Sequence, residues 1–383
     1  MHIFQHVGLL SHQFQNHILP ALNHHSLTQT DAKYSPKPII GFHYLLLIVA
    51  TIFALTMPAQ LPGPDEYTVG LICALAIELA AAIQMMDEEI DECPNLRQDP
   101  SDTNSYSFGR VGGHNVVATC LPRIGTNAAA TVAAQMRSTF RSMRFGLMVG
   151  IGGGVPSAAD IRLGDVVVSQ PVGNHGGVVQ YDFGKTEADG QLRRMGNLDA
   201  PPTFLLNAVR VLQTNHVRGK TKFPEYLSKI VSQLPHFACP GTEHDILFKN
   251  TYKHGSGATC VDCDKEEVIE RMPRGESNAT LHFGTIASGN QVMKDAETRD
   301  RLSKELGGIL CFEMEAAGLM NDFPCLVVRG ICDYADSHKN NEWQPYAAAT
   351  ASACAKELLS IIPRYHQGKR FSETSLYSQL LTF

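Results

Sequence analysis

Residues 311–336 read CFEMEAAGLMNDFPCLVVRGICDYAD, and two patterns in this stretch decide the fold. Its first part places two carboxylates, Glu313 and Glu315, in an otherwise apolar run, which we expect to continue as a helix of small residues. Its second part, residues 325–331, is short, apolar and β-branched, which predicts a buried strand. That strand leads into Asp333, and open α/β sheets bind their ligands at the carboxyl ends of strands. Asp333 is therefore a candidate site residue.

The chain on both sides of this stretch alternates apolar strands with helices rich in alanine and leucine. Gly112 and Gly113 are typical of the turn of a β-hairpin, here between residues 106–109 and 115–121. Further strands are predicted at residues 68–74, 145–151, 163–169, 176–182 and 283–288, and helices at residues 75–86, 126–139, 203–215, 299–306 and 344–362. This alternation predicts the α/β class, with a central mixed sheet covered on both faces in a three-layer α/β/α fold.

One large domain, residues 65–363, accounts for most of the 383-residue chain. Within it, residues 216–280 are polar and lack periodicity, so we interpret them as an irregular insertion. An N-terminal extension, residues 1–64, precedes the domain, and a polar tail, residues 364–383, follows it.

The extension contains an uncharged apolar segment, residues 39–57, which is close to the roughly 20 residues that span a bilayer. It could be a signal anchor, an uncleaved targeting segment, or an appendage that packs on the domain. As an anchor between Lys37 and Asp65, it would place the domain on the non-cytosolic side under the positive-inside tendency. That placement fits poorly with ten cysteines that show no disulfide pattern. We therefore favour a cytoplasmic protein, with membrane anchoring through residues 39–57 as the alternative.

Composition excludes several classes of function. The chain is 44% hydrophobic and 18% charged, as in globular proteins, and its net charge of -6 offers no basic surface for nucleic acid. One CxxC pair, Cys260 and Cys263, follows His254, but a zinc site needs about four ligands and no second pair is present. We interpret these residues as loop cysteines and predict no metal site.

A glycine-rich run, residues 150–154, follows the predicted strand 145–151. Its spacing does not match the GxGxxG dinucleotide fingerprint, Pro156 stands where the helix of that fingerprint would begin, and no GxxxxGK[ST] motif occurs. Two interpretations remain for this run. It is either a tight turn or a backbone that approaches a ligand closely.

Carboxylates near several strand ends suggest one reaction. Asp333 could protonate a leaving group, Glu78 could take a proton from water, and Glu313 and Glu315 could bind sugar hydroxyls. Cleavage of an N-glycosidic bond needs this set, because its transition state resembles an oxocarbenium ion and a purine leaves more easily when a ring nitrogen is protonated. The sequence thus suggests an N-glycosidase that acts on a purine nucleoside or nucleotide.

Nine segments, in order along the chain, resemble the purine nucleoside phosphorylase and uridine phosphorylase superfamily. They are YTVGLICALAIEL, GGHNVV, AATVAAQM, FGLMVGIGGGVP, DIRLGDVVVS, GGVVQYDFGK, GTIASGNQVMKD, FEMEAAGLM and VVRGICDYADSHKN. Within that superfamily they are similar to nucleosidase-like domains of fungal proteins and to bacterial methylthioadenosine and adenosylhomocysteine nucleosidases. The resemblance covers residues 67–362 and implies the nucleoside phosphorylase-like fold, a small-molecule substrate, no cofactor and a homo-oligomer.

This resemblance implies roles for individual residues. Glu78 matches the glutamate that activates the attacking water, and Asp333 matches the aspartate that protonates purine N7. Met314 and Glu315 match the residues that hold the ribose, and Glu313 is expected to support them.

Four further positions complete the site that the resemblance implies. Val292 matches a position whose backbone meets the purine edge, and Asn290 stands in the same substrate-binding loop where the bacterial nucleosidases carry an acid. Gly152 and Gly153 match the glycine turn that lies against the ribose or anion site.

Met148 is the departure from the family pattern that bears most on the reaction type. It stands where the phosphorylases place an arginine for phosphate, so the resemblance favours water as the acceptor and hydrolysis by a nucleosidase. The alternatives are a phosphorylase, which is a glycosyltransferase with phosphate as co-substrate, and a ligand-sensing module without catalysis. Arg123 could supply positive charge for phosphate instead of that arginine. Lys185, Lys253 and Arg274 are candidates to meet the phosphate of a nucleotide substrate.

Overall fold

The computed structural model of the chain describes residues 61–188, 192–255, 257, 259–274 and 279–364. The apolar segment 39–57, the rest of the extension up to residue 60 and the tail from residue 365 lie outside the described residues. Within the described ranges, no helix is both long enough and apolar enough to cross a membrane.

An eleven-stranded sheet forms the centre of the described domain. Its strands are β1 (Val69–Cys73), β2 (Glu88–Ile90), β3 (Ser107–Val111), β4 (His114–Cys120), β5 (Phe145–Gly154), β6 (Val166–Ser169), β7 (Val178–Gln180), β10 (Leu281–Gly284), β11 (Ile286–Ser288), β12 (Cys311–Glu313) and β13 (Cys325–Asp333). A separate hairpin consists of β8 (Gly184–Thr186) and β9 (Leu192–Arg194). The helices of the described residues are α1 (Ala76–Gln84), α2 (Thr126–Thr139), α3 (Thr203–Val217), α4 (Phe223–Gln233), α5 (Ala296–Glu305) and α6 (Gln344–Ile361).

The main strand order of the sheet is β10-β6-β13-β5-β1-β4-β3-β2. The four strands β13, β5, β1 and β4 run parallel to one another, whereas β6 is antiparallel to β13. β12 pairs antiparallel with the end of β5, and β11 and β7 continue the sheet beyond it. The sheet is therefore mixed, as predicted, and the carboxyl ends of β1, β5 and β13 lie side by side.

Helices cover both faces of this sheet. Val69 and Leu71 of β1 point into one hydrophobic core together with α1, α3, α4 and α6. Ile72, the neighbour of Leu71, points into a second core together with α2 and the segment 316–323. Because side chains alternate along a strand, the two cores lie on opposite faces, and the predicted three-layer α/β/α architecture is confirmed.

Two local predictions agree closely with the structure. Helix α2 begins and ends at the predicted residues, Thr126 and Thr139. Strands β3 and β4 form the predicted hairpin, in which Gly112 and Gly113 adopt positive φ angles of 57° and 83°. A two-residue hairpin turn of this kind favours glycine at both positions.

The prediction that residues 216–280 are irregular is wrong in part. Residues 223–233, FPEYLSKIVSQ, form the helix α4, which buries Phe223 and Ile230 in the core beside α6. The apolar side chains of this helix recur at helical spacing, but Pro224 and the polar residues around them obscure the pattern in the sequence.

Two elements near the quoted stretch also differ from the prediction. The run after Glu315 forms only a short 3-10 turn, Ala316–Gly318, because the chain passes Pro324 and enters β13 at Cys325. The predicted strand 283–288 is divided into β10 and β11, because the two halves pair with different neighbours, β6 and β12.

Candidate active site

A pocket of about 260 Å³ lies where the carboxyl ends of β1, β5 and β13 meet β12. Its wall includes every residue that the sequence predicted for the site except Asn290, namely Glu78, Gly152, Gly153, Val292, Glu313, Met314, Glu315 and Asp333. Residues from both ends of the domain thus come together in one cavity. A concave site with several convergent acids is the candidate active site of this domain.

Strand β5 extends through the whole glycine-rich run, so this run is strand and not a tight turn. A Cβ atom at Gly150 would collide with the side chains of Glu78 and Arg329, and one at Gly153 would lie 2.7 Å from Asp333 Oδ1. The glycines are therefore required by a close approach of side chains, and the approach of a ligand to this backbone stays a prediction. The groups that approach them in this structure are the protein's own charged side chains.

Glu78 lies in the first turn of α1 and is 2% exposed. Its Oε2 atom accepts hydrogen bonds from the backbone N–H groups of Ala74 (2.6 Å) and Leu75 (2.9 Å), and Oε1 accepts one from Ile151 (2.8 Å). Burial raises the pKa of Glu78 above its ordinary value, although the charge of Arg329 and the three N–H donors act to lower it. A carboxylate oxygen accepts two hydrogen bonds, so Oε1 retains one acceptor site.

Arg329, in the middle of β13, is a fully buried cation that the sequence analysis did not assign to the site. Its Nη2 atom donates to Glu313 Oε2 and to Glu315 Oε2 (3.2 Å), and Nη1 lies 3.9 Å from Glu78 Oε1. Burial acts to lower the pKa of Arg329, but the three carboxylates hold it above its ordinary value. A buried charge needs such partners, so the lone arginine in the apolar run 325–331 was the signal for them.

Glu313 and Glu315 are held in different ways. Glu313 accepts hydrogen bonds from the backbone N–H groups of Glu315 (3.1 Å) and Ala316 (3.0 Å), so its own turn fixes it. Glu315 Oε1 accepts a hydrogen bond from the backbone N–H of Gly125 (3.2 Å), which directly precedes α2. Burial raises the pKa of Glu315 to about 7, against the charge of Arg329, and the neighbouring carboxylates add to the increase. Glu315 therefore gains and loses its proton near neutral pH.

A β-bulge points Asp333 into the pocket, because the register of β13 shifts between Ile331 and Asp333. Asp333 Oδ1 accepts a hydrogen bond from the backbone N–H of Ala335 (2.8 Å), whose φ of 50° is unusual for a residue other than glycine. Asp333 Oδ2 lies 2.7 Å from Lys339 Nζ. Burial acts to lower the pKa of Lys339, but the Asp333 carboxylate outweighs it, and the pKa is raised. Lys339 is the second charged residue of the site that the sequence analysis missed.

The substrate-binding loop that the sequence predicted is only partly at the pocket. Asn290 Oδ1 accepts hydrogen bonds from the backbone N–H and the Oγ1 of Thr126 (both 3.1 Å), and the Asn290 N–H donates to Asp182 (2.6 Å). Asn290 therefore holds the first turn of α2 and does not line the pocket. Val292 does line it and is 47% exposed. Phe312, which the sequence analysis left without a role, adds an aromatic wall.

The predicted phosphate-binding cations do not line this pocket. Arg274 forms ion pairs with Asp160 (3.2 Å) and Asp165 (2.6 Å). The other three candidates, all exposed, are Arg123, Lys185 and Lys253. Met148 is fully buried in β5 and presents no charge to the pocket. Among the described residues of the pocket wall, Lys339 is thus the one cation, and Asp333 already neutralises it.

Sequence comparisons relate this chain to known proteins. The profile of a family described as the phosphorylase superfamily matches residues 68–364. A nucleotide-binding leucine-rich repeat (NLR)-like protein from Hyaloscypha variabilis is 50% identical over 304 residues, which cover 78% of this chain and 30% of that protein. The match therefore spans less than a third of that relative's length.

Two other relatives are enzymes by name. A 5'-methylthioadenosine/S-adenosylhomocysteine nucleosidase from Mycobacterium bovis is 25% identical over 304 residues, which cover 77% of this chain and 97% of the nucleosidase. An ATP nucleosidase from Escherichia coli is 24% identical over 340 residues, which cover 86% of this chain and 58% of that protein.

Proposed function

The chain belongs to the phosphorylase superfamily, and on that premise we propose that it hydrolyses the N-glycosidic bond of a purine nucleoside or nucleotide and releases the free base. One observation carries the proposal, which is that Glu78, Glu315 and Asp333 line a single pocket. A module that only binds a ligand has no need of all three acids. Cleavage of the bond needs a base for water, acceptors for the sugar and an acid for the purine.

Glu78 activates the attacking water in this proposal. Three backbone N–H groups fix its two oxygen atoms, and the acceptor site that remains on Oε1 takes a hydrogen bond from water. The raised pKa makes the Glu78 carboxylate a stronger base than an exposed glutamate. Water transfers a proton to Glu78 while its oxygen attacks C1′ of the ribose.

Glu315 accepts hydrogen bonds from the ribose hydroxyls, and Glu313 and Arg329 support it from the interior. As the bond to the base breaks, positive charge develops on the sugar ring. The carboxylates of Glu78, Glu313 and Glu315 stabilise this charge, because in a buried site a fixed negative charge acts with little solvent screening. Arg329 keeps these acids from repelling one another in the absence of substrate.

Asp333, protonated from solvent when the substrate binds, donates this proton to N7 of the departing purine, and solvent restores it after the base leaves. A neutral base is a much better leaving group than its anion, so the proton must arrive as the bond breaks. Lys339 Nζ, at 2.7 Å, stabilises the carboxylate that Asp333 becomes. Phe312 and Val292 provide an apolar wall for the flat base.

Hydrolysis is favoured over phosphorolysis by the charge of the pocket wall. Its charged members are Glu78, Glu313, Glu315, Asp333 and Lys339, with a net negative charge when the acids are ionised. A phosphate dianion is repelled by such a wall, whereas neutral water is not. A phosphorylase with phosphate as co-substrate is the alternative reaction.

The names of the relatives bear on the substrate class and on the alternative function. The nucleosidase relatives act, by their names, on nucleosides or on ATP, which supports a purine nucleoside or nucleotide as the substrate class. The NLR-like relative supports the other candidate function, a ligand-sensing module.

All ten cysteines are free, which supports a reducing compartment such as the cytoplasm. Fractionation of the tagged full-length chain tests this location against a membrane anchor.

The reaction is tested by incubating the purified full chain with adenosine, methylthioadenosine, inosine, uridine or ATP, with and without phosphate. Free base is followed by chromatography. We expect release of purine without phosphate and no release of uracil. Strict dependence on phosphate would identify a phosphorylase, and binding without release of any base would identify a sensing module. The Asp333→Asn variant, purified in the same way, controls for a contaminating nucleosidase.

A further inference from the structure

A loop of the insertion, residues 249–267, carries metal-binding side chains outside the proposed active site. A bridge between Phe248 and Val268 closes the base of this loop. Beyond the base, no described residue between 249 and 267 is buried, and Val261 is 79% exposed. The described residues of this loop therefore form no hydrophobic core of their own to hold its conformation.

Three potential ligands converge in this loop. A ring nitrogen of His254 and the Sγ atoms of Cys260 and Cys263 lie within 4.8 Å of one another. With Zn–S bonds of about 2.3 Å and Zn–N bonds of about 2.0 Å, the ligand atoms of a tetrahedral zinc site lie roughly 3.5 Å apart, so a small closing movement suffices. Two thiolates and an imidazole form a ligand set that zinc prefers over the harder divalent cations. We propose that this chain binds one Zn²⁺ ion through His254, Cys260 and Cys263.

The backbone between the two cysteines supports this site. The N–H of Cys263 donates to the carbonyl oxygen of Cys260 (3.1 Å), so the chain makes a tight turn that holds the two thiols close together. A C-x-x-C spacing is typical of structural zinc sites. The sequence alone favoured loop cysteines because no second pair is present. The tertiary structure supplies the third ligand, His254. Its position relative to the two cysteines could not be predicted from the residues between them.

The site lies against the segment that carries Lys339. The backbone N–H of His254 donates to Ser337 Oγ (2.9 Å), and Cys260 Sγ lies 3.8 Å from the carbonyl oxygen of His338. Ser337 and His338 directly precede Lys339, the partner of the proposed general acid. A zinc ion would therefore fasten the insertion loop to the segment that positions this lysine.

His338 is the candidate for the fourth ligand. It is 8% exposed, and its Nε2 atom has no hydrogen-bond partner among the described residues. Its ring centroid lies 5.4 Å from that of His254, and its ring stacks on Phe248 with centroids 4.1 Å apart. A buried polar atom without a partner is costly, and coordination of a metal would satisfy it. A water molecule takes the fourth position if His338 remains stacked on Phe248.

Metal content tests the proposal directly. The full chain, with an affinity tag that contains no histidine, is expressed in medium with zinc and purified in reducing buffer without a chelator. Mass spectrometry of the metal is expected to give about one zinc per chain. The double variant Cys260→Ser/Cys263→Ser and the variant His254→Ala should lose the zinc. The matched controls Cys93→Ser and Cys239→Ser, which alter half-buried cysteines elsewhere, should keep it.

Wild-type protein that carries no more zinc than the double variant would overturn the proposal. Because a variant can fail to fold, a second measurement uses the wild-type chain loaded with Co²⁺ in place of zinc. Two thiolate ligands produce an intense sulfur-to-cobalt charge-transfer absorption, which we expect, and its absence contradicts the site. A disulfide between Cys260 and Cys263, seen as resistance to alkylation that ends on reduction, also contradicts it. The metal content, the cobalt absorption and the alkylation assay are all independent of nucleosidase activity.

The fourth ligand is resolved by the variant His338→Ala. If His338 coordinates the ion, this variant should hold zinc more weakly against a competing chelator than wild-type protein does. If water fills the position, zinc affinity should be unchanged while the three-residue site remains.

Discussion

The proposed active site contains two groupings of acids with a cation, and they are built in different ways. In the arginine cluster, three carboxylates (Glu78, Glu313 and Glu315) surround Arg329, whose side chain is 1% exposed. In the lysine pair, Asp333 meets Lys339, whose side chain is 26% exposed. The arginine lies within a strand of the central sheet, whereas the lysine lies in the segment after it.

This difference separates a cation enclosed in the central sheet from a cation that borders solvent. An arginine stays charged at any pH at which the protein folds, and its neighbours in β13 are fully buried. The Asp333 carboxylate raises the pKa of Lys339, so this lysine also keeps its proton, but its flexible side chain reaches solvent. We infer that the arginine cluster holds the sugar side of the pocket in one geometry, while the lysine pair serves the departing base.

The largest expected effect is on stability, through removal of the central cation. Arg329→Met leaves three buried carboxylates without their counter-charge, and breaking a buried ion pair on one side costs about 3–5 kcal/mol. We expect a loss of that size in the free energy of unfolding, measured by urea denaturation. Arg301→Met is the matched control, because it removes an exposed ion pair with Glu305 that contributes well below about 1 kcal/mol. Equal losses of unfolding free energy in the two variants would show that the arginine cluster stabilises the fold no more than an exposed ion pair does.

The next effect is on catalysis. Variants in the two groupings should differ in how strongly their loss of activity depends on the leaving group of the substrate. Glu78→Gln and Asp333→Asn should each lower kcat for adenosine by roughly 10²–10⁴-fold, the usual contribution of a positioned acid or base. With 4-nitrophenyl riboside, whose leaving group needs no protonation, Asp333→Asn should retain most activity while Glu78→Gln stays impaired. Steady-state kinetics on both substrates make the comparison, with exposed Asp322→Asn as control. Equal losses on the riboside would contradict the assigned division of roles.

The third effect is a pH dependence of stability that originates in the arginine cluster. The pKa of Glu315 is about 7 in the folded protein and 4.5 as its ordinary value, so the folded state binds the extra proton. The contribution of Glu315 to the free energy of unfolding is fully present below about pH 4.5. It falls by on the order of 2–3 kcal/mol as the pH rises towards 7. Glu315→Gln should remove this slope, measured by urea unfolding across that range. Glu305→Gln, an exposed change, should leave the slope as in wild-type protein.

The smallest expected effect concerns the lysine pair. Lys339→Met removes the charge that stabilises the Asp333 carboxylate after proton transfer, so we expect kcat for adenosine to fall about tenfold. Lys339→Arg should restore most of the loss, and exposed Lys304→Met should cause none. A structural role alone would lower activity on adenosine and on the nitrophenyl riboside alike. A loss confined to adenosine supports a role in protonation of the base.

Much of this site was accessible from the sequence because of where its acids stand. Glu78 and Asp333 each follow a short apolar strand, and Glu315 lies in a distinctive run, so their positions at strand ends could be predicted. The resemblance placed Asn290 in the substrate-binding loop, but its side chain turns to the start of α2. Which way a loop side chain points depends on its neighbours in space, and those neighbours are distant in the sequence.

Arg329 illustrates why the rest of the site was not predictable. Its partners Glu78 and Glu313 come from other elements, and the space around them exists only because Gly150 lacks a side chain. The aim of Asp333 depends on a β-bulge, which leaves no periodic signal in a strand of this length.

The sequence by itself determined the architecture and the chemical type of the pocket. The alternation of strands and helices requires a covered mixed sheet, because each apolar face must be buried. Tertiary structure alone decided which acids share a cation, which oxygen of Glu78 keeps an acceptor site, and that His254 meets Cys260 and Cys263. The physical reason is that charge and coordination depend on distances of a few ångströms between residues far apart in the chain, whereas burial patterns are local and repeat along it.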